Sequence, residues 1–250
     1  MDLHAFQEQL AKQLLQNPNI EIKKQMQYSI PVHTLEVSYH PVVRNAMDIL
    51  MKMMLLSFQK AKLQSAAILA DILLVEPLFI HDLTNKMLHL QMIEKEEYFT
   101  LTAKGLAQLQ SGIFEEELPL VSRQLQYSAL HKDILQGDIE ALLDIEQFPD
   151  SFPYMESEEI GELEESKLIE QLQALEQSNE LAEDEVQTFI TSIHGTESIQ
   201  INDVPLLCFV LYDLTEERHD IQVYNTLTNE WDAQVASVLF THEKENWQKS

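Results

Sequence analysis

The sequence predicts an α+β fold, on three observations. Apolar residues recur at helical spacing through much of residues 1–111. Val, Ile, Leu, Phe and Tyr gather in short runs between residues 199 and 225. Charge is divided along the chain: 10 Lys/Arg against 11 Asp/Glu in residues 1–111, 3 against 21 in 112–190, and 3 against 10 in 191–250. The formal net charge of −26 therefore belongs mainly to the middle of the chain.

Apolar residues make up 45% of the sequence, enough for a packed core despite the charge. Only five glycines are present, and neither GxGxxG nor GxxxxGK[ST] occurs, which disfavours glycine-rich phosphate loops. A single cysteine, Cys208, rules out an intrachain disulfide and a cysteine zinc cluster, and fits a reducing compartment. Met1–Phe6 lacks the basic stretch and apolar run of a signal peptide. The most apolar stretch, Ile49–Phe58, is shorter than the roughly 20 residues a membrane span needs. These features predict a cytoplasmic protein that does not engage membranes.

Leu3, Phe6, Leu10 and Leu14 fall at helical spacing, and Asn17-Pro18-Asn19 ends them, so Leu3–Leu15 reads as an amphipathic helix. Gln27–Tyr39 reads as extended. Ile30 and Val32 alternate, then Leu35, Val37 and Tyr39 alternate with opposite parity, which places a bulge or break near His33-Thr34. Pro41 suits the first turn of a helix running to about Lys62. The middle of that helix is apolar nearly all round, so it is either the central helix of its domain or a contact with a second copy. Ser65–Leu74 reads as a short helix, Val75-Glu76-Pro77 as a turn and Leu78–Leu90 as a second helix. A strand opens at Gln91-Met92-Ile93, Glu94–Glu97 forms a tip, and Tyr98–Thr102 returns. Ala103-Lys104-Gly105 leads into a closing helix through Leu109.

That order, carried by ILADILLVEPLFIHDLTNKMLHLQMIEKEEYFTLTAKG, resembles the bacterial-type winged helix-turn-helix domain over residues 41–112. The resemblance implies a DNA contact: the exposed side of the second helix in the major groove and the wing on phosphate. His81, Asn85, Lys86 and His89 are the candidate recognition residues, with Asp82 opposing them, and no arginine is present on this helix. The candidate wing is Glu94, Lys95, Glu96 and Glu97. Three carboxylates where phosphate would lie disfavour DNA. Winged helices that dock proteins offer an analogy of fold and charge.

Beyond the module, Glu115-Glu116-Glu117 and Pro119 mark a boundary. Val121–Gln147 reads as partly helical, with Gly137-Asp138 starting a helix through Ile139, Leu142 and Leu143. Phe148–Tyr154 holds two prolines and reads as a loop with three exposed aromatics. Ser157 suits the start of an acidic helix to about Gln177, burying Leu168, Leu172 and Leu175. A second helix would place Val186, Phe189, Ile190 and Ile193 on one face and stop at Gly195. Ile199–Asn202, Leu206–Asp213 and Ile221–Asn225 read as strands, with Thr215–Asp220 as a hairpin loop. Leu206–Leu211 is continuously apolar, as in a central strand covered on both faces. Ala233–Phe240 fits helix and strand equally.

No motif points to chemistry. His81 and His89 lie about 80° apart around a helix, and no HxxxH or HExxH pair occurs, so no metal site is expected. Ser122, Ser128 and Ser192 sit in no GxSxG elbow. His131 lies two residues before Asp133, without a metal spacing. Cys208 sits in an apolar run, where a thiol is inert packing.

The expected organisation is an N-terminal helix and strand extension (1–40), a winged-helix domain (41–113), an acidic connecting region (114–156) and a C-terminal α+β domain with a small antiparallel sheet (157–250). The expected activity is non-enzymatic, without cofactor: docking of a protein partner with a basic surface inside a larger assembly. Glu115, Glu116, Glu117, Glu158, Glu159, Glu162 and Glu165 form the candidate acidic docking surface. The alternative is a transcriptional regulator that binds DNA as a dimer through residues 41–62 and senses a signal with its C-terminal domain.

Overall fold

The computed structural model describes residues 2–142, 145, 147–155, 157, 159–161, 163–179 and 188–247. The chain divides into two compact units that do not follow its order. One comprises Met1–Ser38, Ser122–Gln171 and Ile193–Ser250, the other Tyr39–Val121 and Leu172–Ser192.

In the first unit, helix α1 (Leu3–Leu14) begins at Asp2, whose carboxylate accepts the His4 and Ala5 backbone N–H groups. Strand β1 (Ile20–Ala46) is far longer than the expected extended segment, and its last residues belong to the second unit. The sheet order β6-β5-β1-β7-β8-β9 is built from β5 (Val121–Ser128), β6 (Asp133–Leu135), β7 (Thr188–Asp213), β8 (Arg218–Asn225) and β9 (Glu230–Trp231). Val204, Leu206, Cys208 and Val210 face Val235 and Leu239 of helix α7 (Ala233–Trp247). Leu207, Phe209 and Leu211 face Leu10 and Ala11 of α1. The apolar run 206–211 is thus covered on both faces, as its composition predicts. The ambiguous stretch from Ala233 is helix, begun by Asp232, whose Oδ1 accepts the Val235 N–H at 3.0 Å.

Several expectations fail, two of them because a β signal was read as helix. Val121–Ser128 is strand: Val121, Leu125 and Tyr127 share the period-two parity of a sheet. Among the described residues after Gly137-Asp138, Glu140–Leu142 forms a turn of 3-10 helix. The expected helix around Phe189 and Ile193 is instead the start of β7, which runs on through Gly195. Thr188, Ile190, Thr191 and Ile193 are β-branched and stiff in a helix; Val186 and Leu143 lie outside the described residues. Helix α6 (Glu165–Asn179) starts eight residues after Ser157, which caps only a local turn through the Glu159 N–H. In the loop 148–154, Phe148 is exposed, but Phe152 is buried edge-on against Tyr28 and Tyr154.

The second unit packs around helix α2 (Ile49–Lys60). Met51, Met54, Leu55 and Phe58 are buried against helices α3 (Ala66–Leu73), α4 (Pro77–His89) and α5 (Ala103–Ser111) and the hairpin β2 (Ile93–Lys95) and β3 (Phe99–Leu101). Helix α2 buries one face in this core, while its Ile49 and Met53 are exposed. It does not begin at Pro41, which lies within β1: Val42 and Val43 favour strand, and Asp48 caps the helix through the Leu50 and Met51 N–H groups. Gly105 on α5 sits against the Met92 backbone so closely that a Cβ there would lie 1.9 Å from the Met92 carbonyl oxygen. The acidic run 113–117 is not a connection. It is strand β4 (Ile113–Glu117), antiparallel to β1 with Arg44 opposite Glu115.

Candidate functional site

Pro77 occupies the first turn of α4, where its missing N–H is harmless, and Ile80, Thr84 and Met87 turn inward. That inward face leaves His81, Asp82, Asn85, Lys86 and His89 exposed. The recognition-helix candidates therefore do share a solvent face. Asn85 Nδ2 lies 3.1 Å from His81 Nδ1, and the His81 ring is 3.9 Å from the Asp82 carboxylate. Lys86, the one Lys or Arg of this helix, donates to Glu116 Oε2 at 2.9 Å and lies 5.2 Å from the centre of the Phe114 ring. Phe114 and Glu116 project from the same side of β4, so strand alternation brings both to the one ammonium.

The hairpin tip carries Glu94, Lys95, Glu96 and Glu97, all exposed. Glu94 accepts a hydrogen bond from Thr100 Oγ1 at 3.3 Å, and the Lys95 ammonium lies 4.7 Å from the centre of the Phe99 ring. Three carboxylates at one tip with one lysine give a negative surface, which repels phosphate.

The proposed acidic docking residues fare differently. Glu115 accepts from Arg44 Nε at 2.8 Å, Glu116 from Lys86, and Glu117 from Lys104 at 3.5 Å. Each acid of the run thus has its own cation, on β1, α4 and α5 respectively. Such exposed pairs are individually weak, yet together they neutralise the run. Glu165 Oε1 accepts the Ile193 N–H at 2.9 Å. Glu159 borders a cavity of about 640 Å³ in the first unit. Glu158 and Glu162 lie outside the described residues.

One constellation escaped sequence reasoning. Ser128 Oγ lies 2.7 Å from His131 Nδ1, and His131 Nε2 lies 2.8 Å from Asp232 Oδ2. Asp232 also accepts from Asn225 Nδ2 at 3.1 Å and caps α7. Burial pushes the Asp232 carboxyl up, but the His131 hydrogen bond and charge, the Val235 N–H and the Asn225 amide outweigh it and hold the group below its ordinary range. The atoms are those of a Ser–His–Asp relay, with the two imidazole nitrogens exchanged relative to the protease arrangement. Ser128 is fully buried, closed to any substrate. The chain acts as a pin that fixes the turn after β5 to the start of α7. Its third member is 101 residues from His131, a separation at which no local spacing signals it.

The turn and α7 form two walls of the cavity through Leu130, Lys132, Gln234 and Val238. Tyr154 lies in the same wall, stacked on His242 with ring centres 4.6 Å apart. Its hydrogen bond to Glu243 pushes its hydroxyl up to about 12. Among the described residues, no three His, Cys, Asp or Glu side chains gather as metal ligands. Among them also, no helix is long and apolar enough to cross a membrane.

No family model matches the chain, and no curated protein and no solved structure matches it.

Proposed function

We propose that this chain is a non-enzymatic interaction protein whose second unit is a winged helix adapted to dock a protein with a basic surface, within a larger cytoplasmic assembly. The order helix, helix, helix, hairpin, helix supports the winged-helix reading. The observation that carries the choice of protein over DNA is the charge of this face. The only cation on the candidate recognition helix is held by Glu116, while Glu94, Glu96 and Glu97 crown the hairpin. DNA affinity rests on phosphate neutralisation, and this face offers almost none.

The test is a pull-down of the full chain from nuclease-treated native lysate, run beside a duplex-DNA gel shift at several salt concentrations. A stoichiometric, nuclease-resistant, salt-sensitive protein partner is expected, with no shift of DNA. Tight DNA binding with a steep salt dependence, together with loss of every protein after nuclease, would restore the dimeric transcriptional regulator as the better reading.

A further inference from the structure

Five of the sixteen exposed large apolar side chains among the described residues fall within residues 68–79: Ile68, Ile72, Leu74, Leu78 and Phe79. That is a patch, not the ordinary scatter of single surface residues. Ile68 and Ile72 lie one turn apart on α3, and Leu78 and Phe79 open α4 just after Pro77. Leu74 stands between the helices. Its side chain is 91% exposed, and its backbone is left-handed (φ 55°, ψ 40°) at the C-cap of α3. Glycine is the residue that adopts this conformation without steric conflict. A leucine here is unfavourable twice, in backbone and in hydration, with no return inside the fold.

Within this segment the charge has one sign: Asp71, Glu76 and Asp82 are exposed, and no Lys or Arg occurs from residue 63 to residue 85. Two copies meeting corner to corner would bring both sets of carboxylates together, so self-association is opposed. A partner with cations at its margin is favoured by complementarity. We infer that the α3–α4 corner seats an amphipathic segment of a partner protein, with an apolar face flanked by Lys or Arg. This rests on the protein-docking reading and names its seat.

The test uses the full chain and two labelled synthetic amphipathic peptides, one with a leucine face flanked by lysines, the other with glutamates in place of the lysines. Binding is read by fluorescence anisotropy at fixed ionic strength. The lysine peptide is expected to bind at least tenfold tighter than the glutamate peptide. Leu74→Asp should weaken it about tenfold or more, in the range of an interface hot spot. Asp71→Asn with Glu76→Gln should weaken it more than Glu96→Gln with Glu97→Gln, which changes charge equally at the hairpin. Circular dichroism confirms that Leu74→Asp is folded, and Leu74→Gly provides a second variant that keeps the corner backbone.

Equal binding to wild type and Leu74→Asp overturns the inference, as does equal weakening by the two charge pairs. A dimer that sediments as such and is lost in Leu74→Asp also overturns it, because the occupant would then be a second copy. Tight binding of duplex DNA instead sinks the docking reading beneath it, so the two failures are distinct.

Discussion

Replacing Leu74 by glycine should stabilise the second unit and weaken docking at once. A left-handed backbone costs a non-glycine residue roughly 1–2 kcal/mol, and Leu74 sits at φ 55°. Glycine loses more chain entropy on folding, about 0.5–1 kcal/mol. The leucine side chain is 91% exposed, so its removal forfeits only about 0.2 kcal/mol of burial. The C-cap hydrogen bond from the Leu74 N–H to the Ala70 carbonyl is made by the backbone and survives. The balance is a gain of about 0.5 kcal/mol, equivalent to a rise of roughly 1–2 °C in Tm. Calorimetry and urea unfolding read this, with Leu74→Ala as the control that keeps the strain and removes the side chain; it should match wild type within about 0.5 kcal/mol. A loss of more than about 1 kcal/mol in Leu74→Gly would refute the reasoning, since Leu74 would then hold the fold together through contacts its exposure denies.

Other substitutions probe the remaining features. Gly105→Ala would drive a Cβ into the Met92 carbonyl, and should cost at least about 2 kcal/mol in urea unfolding. Asp232→Ala removes the α7 cap and leaves His131 and Asn225 without their acceptor, for a loss of roughly 3 kcal/mol. The same carboxyl gives a pH dependence. It titrates lower folded than unfolded, so its contribution is complete above the unfolded value near 3.8 and is lost as pH falls through the folded value. Acid unfolding of Asp232→Asn should lack that part of the transition. The Cys208 thiol, pushed up to about 12 by burial, should resist a thiol reagent in the native protein and react in urea. Lys86→Ala breaks only an exposed pair, so its stability should change by less than about 1 kcal/mol, and its affinity for duplex DNA should be no weaker than that of wild type.

The stretch from α3 to α5 was legible because its signals are local. Pro77 before an apolar period of three and four, a glutamate tip between two short strands, and Thr102 three residues before Gly105 each fix a turn or cap within a few residues. The helix expected at Leu78–Leu90 and the hairpin expected at 91–102 are found at Pro77–His89 and at Ile93–Lys95 with Phe99–Leu101 for the same reason. The chain misled where strands pair across long separations. Thr188–Ile193 has apolar residues at spacings that suit either period, and only its place beside β1 decides for strand. Glu115–Glu117 looked like a solvated run because nothing nearby in sequence announces Arg44, Lys86 and Lys104 as partners. The apolar corner was visible as residues but not as a patch, since the α3 and α4 patterns do not say which apolar members face outward.

The division of the chain into units also sets an order of events during synthesis. Residues 39–121 carry α2–α5, the hairpin and β4, and their contacts close over short loops, so this body is expected to form while the rest is still being made. Strand β1 leaves the ribosome early but must wait for its neighbour β7, more than 140 residues later. Until then its apolar residues Ile30, Val32, Leu35 and Val37, all fully buried in the finished protein, lack the neighbour that completes their burial. A nascent chain stalled before residue 188 is therefore expected to resist protease over 49–111, to be cut within 20–38, and to be a client for chaperones that hold extended apolar strands.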